Sequence, residues 1–144
     1  IVPFYGQGMN ASFEDVVVFD EVLDRFSSES PDWQKVFFEY EKARKKDTDA
    51  IADLAVDNFH EMKEHTASPL FQKKRKLETA FESEFPNKYY SKYSLVTFKE
   101  EITYSKALQQ GRAQDKAMEL SEKLNIVQQE TKNILHDDAV AGNL

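Results

Sequence analysis

Scarce punctuation is what most constrains this chain. Its 144 residues carry four glycines and four prolines, too few for the many tight turns of an all-β fold. The length suffices for one ordinary domain with a modest core. Apolar residues at 40% and charged residues at 31% fit a folded, helical protein rather than a disordered one. The formal charge of −7 argues against a nucleic-acid surface as the main role. The one basic cluster, Lys73-Lys74-Arg75-Lys76, reads as a solvated helix face. There is no cysteine, so disulfides and thiolate metal sites are excluded, which agrees with a cytoplasmic setting. No apolar run approaches the roughly 20 residues that span a bilayer, and the N-terminus has no basic region or cleavable apolar stretch of a signal peptide. The chain starts at Ile1 rather than Met, and reads as a piece of a longer polypeptide.

The breaks order the helices. Residues 1–12 hold two of the four glycines within three positions, as in a loop that turns sharply or approaches something closely. Asn10 or Ser12 can cap a first helix, with Ser12 and Asp15 resembling a capping box. Phe13, Val16, Phe19, Leu23 and Phe26 then recur at helical spacing. Val16-Val17-Val18 could begin a strand, but Asp20, Glu21 and Asp24 favour the helix. Ser30-Pro31 starts a second helix, with Trp33, Val36, Phe37, Tyr40 and Ala43 on one face and Lys42 to Lys46 at its C-terminal end. A third runs from about Thr48 to His65, and a fourth from about Pro69 to Phe85, stopped by Pro86. The aromatic stretch 87–99 lacks a clear helical period and reads as extended and buried. Two helices follow, from Glu100 to about Gln110 and from about Ala113 to His136, the latter with Leu120, Leu124, Val127, Thr131 and Ile134 on one side. The last eight residues read as a loose tail. By this reading the chain is all-α.

Two positions do not behave as plain core. Asn58 lies in the stripe Ile51, Leu54, Ala55, Met62, where an apolar residue is expected. An unpartnered buried amide costs on the order of 1–3 kcal/mol, so Asn58 either bonds neighbouring backbone, lies at the edge of the stripe, or faces a polar ligand. Tyr93 reads as a core tyrosine with its hydroxyl reaching the surface. His60 and His65 stand five apart, roughly 140° around a helix rather than on one face, so they do not make the zinc-protease pair. No nucleophile–base constellation, P-loop or dinucleotide fingerprint is present.

Three blocks carry a resemblance. The string Val2-Pro3-Phe4-Tyr5-Gly6-Gln7-Gly8-Met9-Asn10, followed by Phe13-Glu14-Asp15, is similar to the flavin-contacting segment of the class A flavoprotein aromatic hydroxylases. Within them it is most like the kynurenine 3-monooxygenase family. Asn58-Phe59-His60-Glu61-Met62 resembles that family's Asn-Tyr-x-Glu-Met, and Tyr93-Ser94-Leu95-Val96-Thr97-Phe98 its Tyr-[Ser/Thr]-Met-Val-Thr-Phe. Asn58 and Tyr93 are 35 positions apart (93 − 58), the family's own spacing. Tyr104-Ser105-Lys106-Ala107-Leu108 is similar to the next block, so the resemblance covers residues 1 to about 112. Phe59 and Leu95 stand where the family usually has Tyr and Met, both tolerable in an apolar wall.

The resemblance implies a helical C-terminal part of a larger α/β monooxygenase that uses FAD, NADPH and O₂ to hydroxylate L-kynurenine. It implies that Gly6, Gln7, Gly8, Met9 and Asn10 contact the cofactor, that Pro3, Phe4 and Tyr5 wall the site, and that Asn58, Glu61, Met62 and Tyr93 bind substrate. No side chain is assigned as acid or base, because the flavin carries the chemistry, and no metal is expected. Residues 1–47 would belong with the FAD domain and 48–144 would close the substrate pocket. An N-terminal half would supply the FAD fold and a partner Arg, so the piece alone should be inactive, with an apolar face along residues 13–26 left to pack on that half. The tail shows no hydrophobic anchor like that of mitochondrial members, which implies a soluble, bacterial-type enzyme.

Overall fold

A computed structural model describes residues 2–26, 30–65 and 68–141. Among them there is no strand, and five α-helices follow in order: α1 (Gly8–Phe26), α2 (Trp33–His60), α3 (Pro69–Glu84), α4 (Lys92–Thr97) and α5 (Tyr104–Ala141), with one π-helical turn, Glu61–His65, directly after α2. The all-α reading stands, with several boundaries corrected.

The first correction is at the start of α1. It begins at Gly8, and Ser12 donates its hydroxyl back to the Gly8 carbonyl at 2.9 Å. Ser12 is therefore inside the first turn, bonded to the preceding carbonyl, and cannot cap it. In α2 the N-cap is Asp32, whose carboxylate accepts from the Lys35 amide at 3.2 Å, rather than Ser30. The two helices expected either side of residue 47 are one, 28 residues long. Neither Gly nor Pro interrupts residues 33–60, and Thr48 is accommodated by bonding the Arg44 carbonyl one turn back at 3.2 Å.

Residues 92–97, expected to be extended, form α4. Ser91 caps it, accepting from the Ser94 amide, while the Ser91 amide donates to Glu82 at 2.7 Å. That long-range cap holds a six-residue helix whose aromatic-rich sequence hides its period. The two final helices are also one, since Gly111 continues the ladder and the helix extends through residues expected to be tail. Among the described residues no helix is long and apolar enough to cross a membrane. The side chains of His65, Thr131 and Ile134 lie outside the described residues.

The chain divides into two compact units, Ile1–Gly111 and Arg112–Leu144. In the first, Tyr5 and Ala11 pack with Ala50, Ile51 and Leu54 of α2, Leu95 and Val96 of α4, and Tyr104 and Ala107 at the start of α5. The N-terminal loop is thus part of the core. Arg44 pins α1 to α2: its guanidinium donates to Asp15 at 2.7 Å, Glu14 at 3.1 Å and the Ala11 carbonyl at 3.3 Å. Burial, together with the neighbouring Glu14 carboxylate, pushes the Tyr104 phenol up to about 12. Asp47 accepts from the Ser105 amide at 2.8 Å and so serves the open end of α5.

The apolar face expected along residues 13–26 is exposed on α1, and the first turns of α2 add to it. Phe13, Val16 and Val17 are exposed, as are Trp33, Phe37 and Phe38 at the start of α2. On α1 the buried positions, Ala11 and Val22, are not those of the expected stripe, whereas on α2 the expected Val36, Ile51, Leu54 and Ala55 are buried. In the second unit the helix exposes Leu120, Leu124 and Val127.

Candidate functional site

A cavity of about 340 Å³ opens beside the N-terminal loop. It is lined by Phe4 and Tyr5 from that loop, Asn58 at the end of α2, Glu61 and Met62 of the π-turn, Phe71, Arg75 and Glu78 of α3, and Lys92 and Tyr93 of α4. Residues far apart in sequence meet here because the core seats the loop between α2 and α4. Six expected substrate-site positions are brought together: Phe4, Tyr5, Asn58, Glu61, Met62 and Tyr93. Pro3 is exposed and does not line the cavity.

Asn58 donates its amide to the Phe4 carbonyl at 2.9 Å, across 54 residues. Of the three explanations for this polar position, the backbone bond is therefore one part of the answer, and placement on the cavity wall is another. The bond fixes the loop at the height of the cavity. The rings continue the clamp: Phe4 meets Phe59 at 4.9 Å, and Tyr5 stacks on Tyr93 at 5.9 Å with 24° between planes. Tyr93 also meets Phe98 edge-on at 5.9 Å. It is 40% exposed, so it is a wall residue rather than a core one.

The π-turn matters to this geometry. One extra residue per turn shifts the register just after Asn58, and Glu61 and Met62 follow at once on the cavity wall. Glu61 is held by two cations on a single oxygen: Lys92 bonds Oε1, and Lys74 approaches the same atom at 4.0 Å. Glu78, itself buried, takes Arg75 at 3.3 Å and Lys74 at 4.0 Å. Two carboxylates and three cations thus form one network along one side, facing the rings of Phe4, Tyr5, Phe71 and Tyr93.

Four further lining residues, Phe71, Arg75, Glu78 and Lys92, belong to no motif in the sequence. The basic run 73–76 is not all solvated face, because Lys74 and Arg75 turn toward the buried Glu78. The signal was the i+4 and i+3 spacing of Glu78 from those two residues. Lys92 gave no signal beyond preceding Tyr93.

The glycine loop has its own geometry. Gly6 has φ of +70°, a left-handed conformation that favours glycine. Gln7 is buried, and its side-chain oxygen accepts from the Asn10 amide group at 2.7 Å. The Ala11 amide to Gln7 carbonyl bond, 2.9 Å, opens the helical ladder. The amides of Gly8, Met9 and Asn10 therefore precede it, at the positive end of a 19-residue helix. A Cβ placed on Gly6 or Gly8 would meet nothing within 4 Å, so open space lies against the backbone there. This suits a planar anionic group lying against the loop. Among the described residues no cluster suits a metal ion.

No protein-family model matches the chain. It is 44% identical over 128 residues to kynurenine 3-monooxygenase of Flavobacterium johnsoniae, covering 89% of this chain and 28% of that protein. The chain is a relative of the kynurenine 3-monooxygenases. The Myxococcus xanthus protein of that name is 44% identical over 86% of the chain and 26% of its own length, and the Candida albicans protein 38% identical over 82% and 25%. The chain therefore spans between a quarter and a third of the length of these curated relatives.

Proposed function

We propose that this chain is the C-terminal part of an FAD- and NADPH-dependent kynurenine 3-monooxygenase that converts L-kynurenine and O₂ to 3-hydroxykynurenine. The observation that carries the reading is the meeting of Phe4, Tyr5, Asn58, Glu61, Met62 and Tyr93 around one cavity, from three sequence blocks that resemble the family independently.

In this reading residues 1–47 belong with the flavin domain and 48–144 close the pocket. The free amides at the start of α1, those of Met9 and Asn10 among them, would hold the anionic part of a bound flavin, and Gly6 and Gly8 would let the backbone approach it without a Cβ. Bound FAD, reduced by NADPH, supplies the oxygen chemistry. Everything else falls to the protein's own groups. Phe4, Tyr5, Phe71 and Tyr93 keep water from the reacting ring. Asn58 and the Tyr93 hydroxyl bind the substrate's carboxylate, shared with an Arg from the N-terminal half. Asn58 does so with its second amide N–H, while the first keeps the Phe4 carbonyl. Its contribution to the site is therefore partly the seating of the loop.

The test is steady-state kinetics of Asn58→Ala and Tyr93→Phe in the full-length polypeptide. The expected result is a KM for L-kynurenine raised about tenfold in each, a loss of one hydrogen bond to a charged group, with flavin retained. Unchanged KM and turnover in both variants would place substrate elsewhere.

A further inference from the structure

Lys92 is unusual for a lysine. It is 5% exposed, at a depth where a lysine is found only when paired. Its stem passes against Gly111 of α5, so closely that a Cβ there would lie 2.6 Å from Lys92 Cγ. At the far end its ammonium bonds Glu61 Oε1 on the cavity wall. The slot left by a glycine in mid-helix thus routes a positive charge to the cavity wall. Lys74 approaches the same oxygen at 4.0 Å, so both cations meet Glu61 through Oε1. A carboxylate gripped through one oxygen cannot turn freely, and its other oxygen is held in one direction.

We infer that Lys92 is a positioning residue for ligand binding, fixing Glu61 through Oε1 so that Oε2 accepts a hydrogen bond from an amino group of the substrate. The inference rests on the proposed reading of this cavity as an amino-acid substrate site. It adds Lys92, with Gly111 as the slot that admits it, as a determinant of affinity. The ligand class this geometry suits carries an N–H donor, as a primary ammonium or aryl amine does, because a carboxylate oxygen accepts and cannot donate. A ligand presenting only a carboxylate there would meet Glu61 unfavourably.

The experiment is a double-mutant cycle in the full-length flavoprotein, with Lys92→Met, Glu61→Gln and both together. Methionine keeps an unbranched stem in the slot and removes the charge. The expected result is a KM for L-kynurenine raised about tenfold by Lys92→Met, with a smaller effect on kcat. In the Glu61→Gln background the same substitution should add little, because Lys92 acts through that carboxylate. An unchanged KM, or an equal rise in both backgrounds, overturns the inference, since a packing role would persist without Glu61. If Lys92→Met does not fold, Gly111→Ala carries the test by displacing the stem with its charge kept: a raised KM supports the role and an unchanged one overturns it. A wild-type enzyme that binds flavin but ignores kynurenine overturns the substrate reading and this inference with it. Loss of the Lys92 effect with wild-type turnover intact overturns this one alone.

Discussion

Gly111→Ala sets two known effects against each other, and the structure decides the sign. Alanine in a helix interior is favoured over glycine by about 1 kcal/mol, so at an open site the substitution would stabilise α5. At Gly111 the new Cβ would lie 2.6, 2.7 and 3.1 Å from Cγ, Cδ and Cβ of Lys92. A flexible stem could often swing aside. This one is tied at both ends, by the start of α4 at its backbone and by Glu61 at its ammonium. Relief must come from shifting α4 against α5 or from breaking the buried pair. Forcing a methyl into a packed site costs typically 1–3 kcal/mol. The net expectation is a loss of about 1 kcal/mol, with an upper bound near 2. Urea unfolding of the full-length polypeptide should show a lower midpoint at an unchanged slope, and Tm should fall by a few degrees. In a Lys92→Ala background, where Cγ and Cδ are gone and only the 3.1 Å contact with Cβ remains, the same substitution should cost markedly less. A gain in stability with Lys92 present would show that the slot is not filled as described.

Other outcomes follow from the same contacts. Arg44→Met should destabilise by about 2 kcal/mol, because three bonds between α1 and α2 are lost. The partly exposed Glu14 and Asp15 can hydrate, which keeps the cost below that of a fully buried broken pair; an unchanged urea midpoint would contradict it. For acid stability the relevant carboxyls are Asp47 and Glu82. Burial pushes both up, but bonds from Ser105 and Thr103 to Asp47, and from Ser94 and Ser91 to Glu82, outweigh it and leave both below their ordinary values. A depressed carboxyl contributes stability above its ordinary value and loses it as pH falls through the folded value. Stability should therefore drop below about pH 4, and Asp47→Asn with Glu82→Gln should flatten that drop in pH-dependent unfolding.

What could be read in the residues was the helical class and the three blocks, because punctuation and local strings are sequence-local properties. What could not be read depended on distant partners. The α4 helix is capped by Ser91, which Glu82 holds from nine residues away, so its aromatic stretch looked extended. Residue 47 looked like a boundary because Lys42 to Lys46 suited a helix end. Arg44, in the middle of that run, is in fact buried against α1. Gly111 looked like a break because nothing local reveals that Lys92 needs the space. Asn58 breaks the apolar pattern in the sequence, yet its partner, the Phe4 carbonyl, lies 54 residues away and is set by the fold.

The most direct measurement is NADPH oxidation by the full-length polypeptide containing residues 1–144, with and without L-kynurenine. Oxidation stimulated by kynurenine, with 3-hydroxykynurenine accumulating, is the predicted result. A yellow protein whose NADPH oxidation ignores kynurenine and yields no hydroxylated product would contradict the substrate reading. A colourless protein would contradict the flavin loop as well.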